Sequence, residues 1–156
     1  MPTNFEFTRQ TKANIADTMD YYTHPEHMPE ILPDVFKQVT IKSKEGDTTI
    51  YEWQGVLMRR KVVGVNRLTL NKDVHTIIEE TIEMQGGQKG SKMTYSFKEL
   101  PNGTEIKCTH AMEMGALGFL AKGWWKSTVD RAFDEQVKRL DAKSSQQASA
   151  SQSNSV

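Results

Sequence analysis

The chain changes its hydrophobic period once. Between Phe36 and Met114 apolar and polar residues alternate in six runs: Phe36–Ser43, Thr48–Leu57, Lys61–Leu70, His75–Met84, Ser91–Glu99 and Thr104–Met114. Period two is the signature of strands with one buried face. From Gly118 to Leu140 the period becomes three or four. Trp125, Val129, Ala132, Phe133, Val137 and Leu140 form one stripe, and Lys122, Lys126, Asp130, Asp134 and Lys138 mostly take the opposite side. The stripe predicts one amphipathic helix of roughly 23 residues and about 34 Å, nearly the length of a strand of about ten residues. One such helix can cover a whole sheet.

Ahead of the alternating region, Phe5 to Thr11 sets Phe5 and Phe7 against Glu6 and Thr8 and reads as a first strand. Asn14 caps a short helix whose inner face is Ile15, Met19 and Tyr22, with Asp17 in the first turn complementing the helix dipole. His24-Pro25 ends it. Pro25 and Pro33 bracket a second short helix over Glu26–Ile31, because each proline forces its predecessor out of helical geometry. The strand runs are joined by turn-forming pieces, Lys44-Glu45-Gly46-Asp47, Asn71-Lys72-Asp73, the stretch from Gln85 to Gly90, and Pro101-Asn102-Gly103. Links this short cannot make parallel crossovers, so the strands are expected to form an antiparallel meander.

Composition narrows the class. A chain of 156 residues with 37% apolar and 26% charged residues holds one ordinary core, so residues 1–142 are read as a single domain. Residues 143–156, rich in Ser and Gln, have almost no apolar content and are expected to be a disordered tail. Lys+Arg and Asp+Glu both number 20, which argues against a nucleic-acid partner. Cys108 has no partner for an internal disulfide, no apolar run approaches the roughly 20 residues of a membrane span, and Met1–Lys12 has no signal-peptide core. A soluble, cytoplasmic protein without cofactor is the expectation.

A strand, two short helices, six antiparallel strands and a long amphipathic helix make an α+β chain. Over Phe5–Leu140 it resembles the helix-grip (SRPBCC) proteins of the START and Bet v 1-like superfamily, which includes polyketide cyclases and coenzyme Q-binding proteins. The residues carrying the resemblance are Phe5–Asn14, the Thr23-His24-Pro25-Glu26 stop, Leu32-Pro33-Asp34-Val35 and the Phe97–Cys108 hairpin. The resemblance implies a seven-stranded antiparallel curved sheet wrapped round the C-terminal helix, with a cavity between them that commonly takes a hydrophobic ligand. None of these segments is a catalytic motif.

Reading the strand phases, the helix-facing side takes Tyr51, Trp53, Leu57, Leu68, Leu70, Ile78, Ile82, Met84, Met93, Tyr95, Phe97, Ile106, Cys108, His110 and Met112. Of these, Trp53, Ile78, Ile82, Tyr95, Phe97, His110 and Met112, with Leu117, Ala121, Trp125 and Val129 from the helix side, are the expected ligand contacts. Lining and filled core draw on the same residue types, so both stay open. His110, on an otherwise apolar strand face, is a candidate general base or a core histidine bonded to Tyr95 or to backbone. Glu80 shares the phase of Ile78 and Ile82, where a carboxylate needs a partner, a wet mouth, or a bulge that turns it outward. Arg59-Arg60-Lys61 is either a head-group clamp or a solvated strand end facing Glu79, Glu80 and Glu83. His24 and His27 lack the companions of a zinc site, and no nucleophile motif or phosphate-binding loop is present.

Three functions follow. The first is binding or transport of a small hydrophobic molecule of lipid, isoprenoid or polyketide-like type. The second is cyclase or dehydratase chemistry using His110 and Tyr95, with Glu80 as a weaker candidate. The third is a chaperone-like protein contact through the region of Trp124, whose ring points about 100° away from that of Trp125.

Overall fold

The computed structural model describes residues 3–84, 91–112 and 118–153. Strand β1 (Thr3–Thr11) leads into α1 (Ile15–Tyr22), a single 3-10 turn (Pro25–His27) and α2 (Met28–Ile31). Six strands follow: β2 (Phe36–Glu45), β3 (Thr48–Leu57), β4 (Arg60–Asn71), β5 (Thr76–Met84), β6 (Ser91–Leu100) and β7 (Gly103–Met112). The chain closes with α3 (Gly118–Ser153). The strands form one seven-stranded sheet in the order β1-β7-β6-β5-β4-β3-β2, every pairing antiparallel. This is the expected α+β helix-grip architecture.

Local chemistry starts and stops these elements. The Asn14 side chain accepts from the Asp17 backbone N–H at 2.8 Å, satisfying one of the orphan donors at the start of α1. The second helical piece divides at Met28 because Pro29 enters just inside the start of α2. Between β3 and β4 the turn residues Met58 and Arg59 both take positive φ, +48° and +69°, and Leu57 pairs with Arg60 across it. Two such residues in succession match the twist of the flanking strands, as in a type I′ hairpin. Arg59, Arg60 and Lys61 are exposed at this tip, and no ion pair joins them to Glu79, Glu80 or Glu83 among the described residues.

The stripe on α3 lies against the concave face of the sheet. Phe133 is 1% exposed and Leu140 2%, and Val129 and Phe133 pack with Phe5, Phe7, Tyr95 and Phe97 in one continuous core. Each such side chain contributes about 1.5–3 kcal/mol on burial. Polar clamps fix the helix along β1. Arg9, on the inner face opposite Ile106, holds Asp134 at 2.8 Å and also Asp130, and Asp141 accepts from Thr11 Oγ1 at 2.6 Å and from the Lys12 N–H at 2.8 Å.

Two expectations need correction. Helix α3 does not stop near Leu140 but continues to Ser153. Once a helix is nucleated each added residue costs little, and no Gly or Pro interrupts the chain from Asp141 to Ser153. Strand β5 is the second. Its inner face carries Ile77 and Glu79, which pair with Tyr95 and Met93 on β6, while Ile78 and Glu80 point outward. A register shift opposite Val65 and Asn66 leaves Ile82 as the extra residue, 42% exposed, and returns Met84 to the inner face opposite Gly64. The alternation therefore changes parity inside one strand, so Met84 faces inward as expected while Ile78 and Ile82 do not.

Candidate functional site

A cavity of about 110 Å³ lies between the sheet and α3. Its floor is Tyr51 and Trp53 from β3, Asn66 and Leu68 from β4, Glu79 from β5, and Met93 and Tyr95 from β6. Trp125, Thr128, Val129, Ala132, Phe133 and Gln136 of α3 form its roof, and Tyr22, His27, Met28 and Leu32 close one side. Aromatic rings supply much of the wall. Tyr95 and Phe133 stack at 5.9 Å with 18° or less between neighbouring planes of the Tyr95–Phe133 and Phe7–Phe133 pairs.

The floor holds a connected polar group. Tyr51 Oη donates to Glu79 Oε1; Asn66 Nδ2 donates to the same oxygen at 3.1 Å and to Tyr51 Oη at 2.9 Å. Trp53 Nε1 donates to Asn66 Oδ1 at 3.1 Å. Trp53 reaches Asn66 because its cross-strand partner is Gly64: a Cβ there would lie 2.5 Å from Trp53 Cε2 and Nε1. Glu79 Oε2 takes no hydrogen bond among the described residues, on a side chain that lines the cavity. Burial raises the Glu79 carboxyl above the usual carboxylate range, against the opposing pull of Tyr51 and Asn66.

More buried polar atoms lie along the same cavity. Tyr22 Oη, His27 Nε2 and Trp125 Nε1 have no hydrogen-bond partner among the described residues, and all three residues are in its wall. Burial lowers His27 to about 4, so its imidazole is neutral at pH 7, stacked on Tyr21 at 4.4 Å. From α3, Thr128 is satisfied by the Trp124 carbonyl at 2.8 Å, and Gln136 Nε2 meets Met28 Sδ at 3.6 Å.

The residues expected to contact a ligand divide sharply. Trp53, Tyr95, Trp125 and Val129 line the cavity. Phe97, His110 and Met112 are buried on the inner face outside its lining, and Ala121 is partly buried on α3. Leu117 lies outside the described residues, as does the glycine turn Gly86-Gly87-Gly90. Ile78 and Ile82 are displaced by the β5 parity change described above. Glu80 points outward as well, paired with Arg67 at 2.6 Å and with Lys92 at 3.9 Å, so it cannot act inside the cavity.

His110 is fully buried, and neither ring nitrogen has a partner among the described residues. The bonds to Tyr95 or backbone expected of a core histidine are not made: Tyr95 Oη turns to Met93 Sδ at 3.6 Å instead. Edge-on contacts to Phe5 at 6.4 Å and Trp125 at 5.9 Å surround the imidazole with apolar rings. Desolvation alone lowers it to about 4, which makes it a weak base at pH 7. Trp124 is 38% exposed, with its ring 5.7 Å from that of Trp125.

Sequence reasoning missed Glu79, Asn66, Tyr22, His27, Thr128 and Gln136 as cavity residues. A polar residue in a run of alternating phase looks like an outward one, and the only local hint was that Glu79 shares parity with Ile77. Among the described residues no three His, Cys, Asp or Glu side chains are grouped to hold a metal, and no helix is long and apolar enough to cross a membrane.

The chain belongs to the polyketide cyclase / dehydrase and lipid transport family, whose profile matches residues 2–145. Comparison with curated protein sequences finds no match. Among solved structures it is similar to the Zhui aromatase/cyclase of Streptomyces sp. R1128, at 12% identity and TM-score 0.74, covering 95% of this chain and 96% of that one. The protein TTHA0849 of Thermus thermophilus aligns at 16% identity and TM-score 0.74, over 91% of this chain and 99% of that one. A START superfamily protein of Mycobacterium smegmatis aligns at 14% identity and TM-score 0.70, over 88% and 98%. At these identities the likeness is one of fold, and it places this chain on a scaffold shared by aromatase/cyclases and START proteins.

Proposed function

We propose that the protein binds a small, mostly apolar molecule carrying at least one polar group, seated between the sheet and α3. The observation supporting this is the convergence of three unpartnered buried atoms, Tyr22 Oη, His27 Nε2 and Trp125 Nε1, with the Glu79 carboxyl along one aromatic-walled cavity. Buried polar atoms without partners cost about 1–3 kcal/mol each, a cost that a ligand's hydroxyl or carbonyl removes. The cavity volume limits what sits there: an apolar cavity of about 150 Å³ accepts a benzene ring. At about 110 Å³ the space is smaller than that, and fits a short-chain polar group rather than a whole ring system or polyketide. Native mass spectrometry of protein purified from its own host, followed by solvent extraction, tests the reading. A reproducible co-purifying apolar mass is expected; clean protein that shows no thermal shift with any lipid, isoprenoid or phenol would sink it.

An enzyme reading has one observation in its favour, the Glu79 carboxyl on the cavity floor, held by Tyr51 and Asn66 through one oxygen only and raised by burial above the usual carboxylate range. A carboxyl of that kind is a general acid, and it replaces His110 as the first residue to test. Cyclisation or dehydration of an aromatic polyketide that survives Glu79→Gln would remove this reading.

A further inference from the structure

A second hollow of about 480 Å³ opens beneath α1, between that helix and the β2–β3 and β4–β5 turns. Its base is apolar, Ile15, Met19, Leu68 and Leu70, and its rim is exposed and charged, with Asp20, Lys44, Asp47 and Lys72. It is the side of the molecule opposite the Met58–Arg59 turn, because β3 runs from Thr48 at this end to Leu57 at the other.

Three elements continue from this groove straight into the inner cavity. On β3 the inward positions Thr49, Tyr51 and Trp53 pass from groove to cavity in steps of two, and on β4 Leu70, Leu68 and Asn66 do the same in the reverse chain direction. On α1, Ile15 and Met19 line the groove and Tyr22, one turn further along the same face, lines the cavity. Leu68 borders both spaces. It is 1% exposed, and Met19, 8% exposed, is the groove residue that precedes Tyr22 on the buried face of α1. Both side chains are unbranched or singly branched groups with several rotamers, and methionine in particular adapts to irregular gaps.

We propose that groove and cavity are the two halves of one channel, closed at Leu68 and Met19, and that the ligand is an elongated molecule. Its polar end sits at Asn66 and Glu79, and its apolar chain leaves beneath α1. The inference rests on the ligand-binding function proposed above and resolves its size problem: the inner cavity alone takes a short chain, while the pair takes a molecule of lipid or extended polyketide length. The charged rim suits a chain that ends at or beyond the protein surface, since it offers no further apolar cover.

The test is 12-bromododecan-1-ol, whose hydroxyl and heavy atom mark opposite ends. Ala16, exposed on the groove wall, is replaced by cysteine and labelled with bimane; Met58→Cys, at the far end of the sheet, is the control. Cys108 is buried and does not compete for the label. Saturable quenching at Ala16→Cys but not at Met58→Cys, absent with unbrominated dodecanol, is expected. Quenching at Met58→Cys, or at neither site while calorimetry shows saturable binding, overturns the channel and leaves the cavity function standing. Absence of saturable binding for both dodecanols and for butan-1-ol removes the cavity function and the channel together. In calorimetry on the unlabelled chain, Met19→Trp is expected to weaken 12-bromododecan-1-ol about tenfold or more, since each methylene forced into water costs about fourfold. Butan-1-ol, short enough for the inner cavity alone, should keep its affinity; equal weakening of both, with circular dichroism unchanged, also overturns the channel.

Discussion

Two titratable side chains lie in one row across the concave face of the sheet. Glu79 on β5 pairs with Met93 on β6, which pairs with His110 on β7. Two inter-strand steps of about 4.8 Å separate them, so the same helix covers both, yet their surroundings are opposite. Glu79 accepts from Tyr51 and Asn66 and faces a cavity; His110 is enclosed by Phe5 and Trp125 with neither nitrogen bonded among the described residues. Burial acts on both by the same physics, disfavouring charge, and drives the carboxyl up and the imidazole down. The difference teaches that a buried polar residue becomes a candidate for ligand recognition through the groups that hold it and the space it faces. Residue type alone points to His110, whereas the bonds and the space point to Glu79.

Replacing each with leucine is the sharpest way to break the comparison. Glu79→Leu strips Tyr51 and Asn66 of their shared acceptor inside the protein, at a cost of about 2–4 kcal/mol at pH 7. His110→Leu removes two unpaired nitrogens and restores an apolar contact, so it is expected to stay within about 1 kcal/mol of the parent at the same pH. Urea unfolding of both variants reads the contrast. Equal losses would mean that His110 has a partner of comparable worth.

Gly64→Ala attacks the network from its edge. The new methyl group would sit 2.5 Å from the Trp53 ring, pushing the indole off Gly64 and away from Asn66. Overpacking of this kind costs about 1–3 kcal/mol. Ligand affinity should fall with stability in Gly64→Ala, whereas His110→Leu should leave affinity unchanged; a Gly64→Ala protein with full affinity would detach Trp53 and Asn66 from the site.

Much of the architecture was legible because it depends on patterns that burial enforces along many residues. The stripe from Trp125 to Leu140 needed a sheet to cover it, and the short turns left only an antiparallel order. Asn14 announced the start of α1 through its own side-chain chemistry. The site was less legible because it turns on single positions. One extra residue at Ile82 changes the parity of β5, so aligning Ile78 with Met84 put Glu80 inside and hid Glu79. Thr128 and Gln136 interrupt the apolar stripe of α3 and look solvent-facing until the fold shows them roofing a cavity. His110 stands out in the sequence as the polar residue in an apolar run, and the structure encloses it among apolar rings outside the cavity lining.

Acid separates the pair further. His110 stands at about 4 in the folded chain and 6.5 as its ordinary value. Between those values the unfolded chain binds the extra proton, so stability falls as pH drops, by about 2 kcal/mol at pH 5 relative to neutral pH. His27, also lowered to about 4, adds a second loss of the same sign. His110→Leu should recover about 2 kcal/mol at pH 5 that it does not recover at pH 7.5, measured as the difference between two urea titrations. No such pH-dependent gain would place His110 in contact with a group that keeps it ionisable.

Glu79 acts on the other limb, with the smallest expected effect at neutral pH. Its folded value is raised, so its contribution is complete below the ordinary carboxyl range and is lost as pH rises through the folded value. Glu79→Gln keeps an oxygen to accept from Tyr51 and Asn66 and removes the titration. The variant should therefore unfold within about 1 kcal/mol of the parent at pH 7, unlike Glu79→Leu, and its stability should fall less steeply between pH 5 and 8. The two single variants thus flatten opposite limbs of one stability curve, His110→Leu the acid side and Glu79→Gln the alkaline side. An unchanged slope between pH 5 and 8 in Glu79→Gln would show the carboxyl to be ionised throughout, and with that the contrast between the two buried groups would lose its electrostatic half while keeping the hydrogen-bonding one.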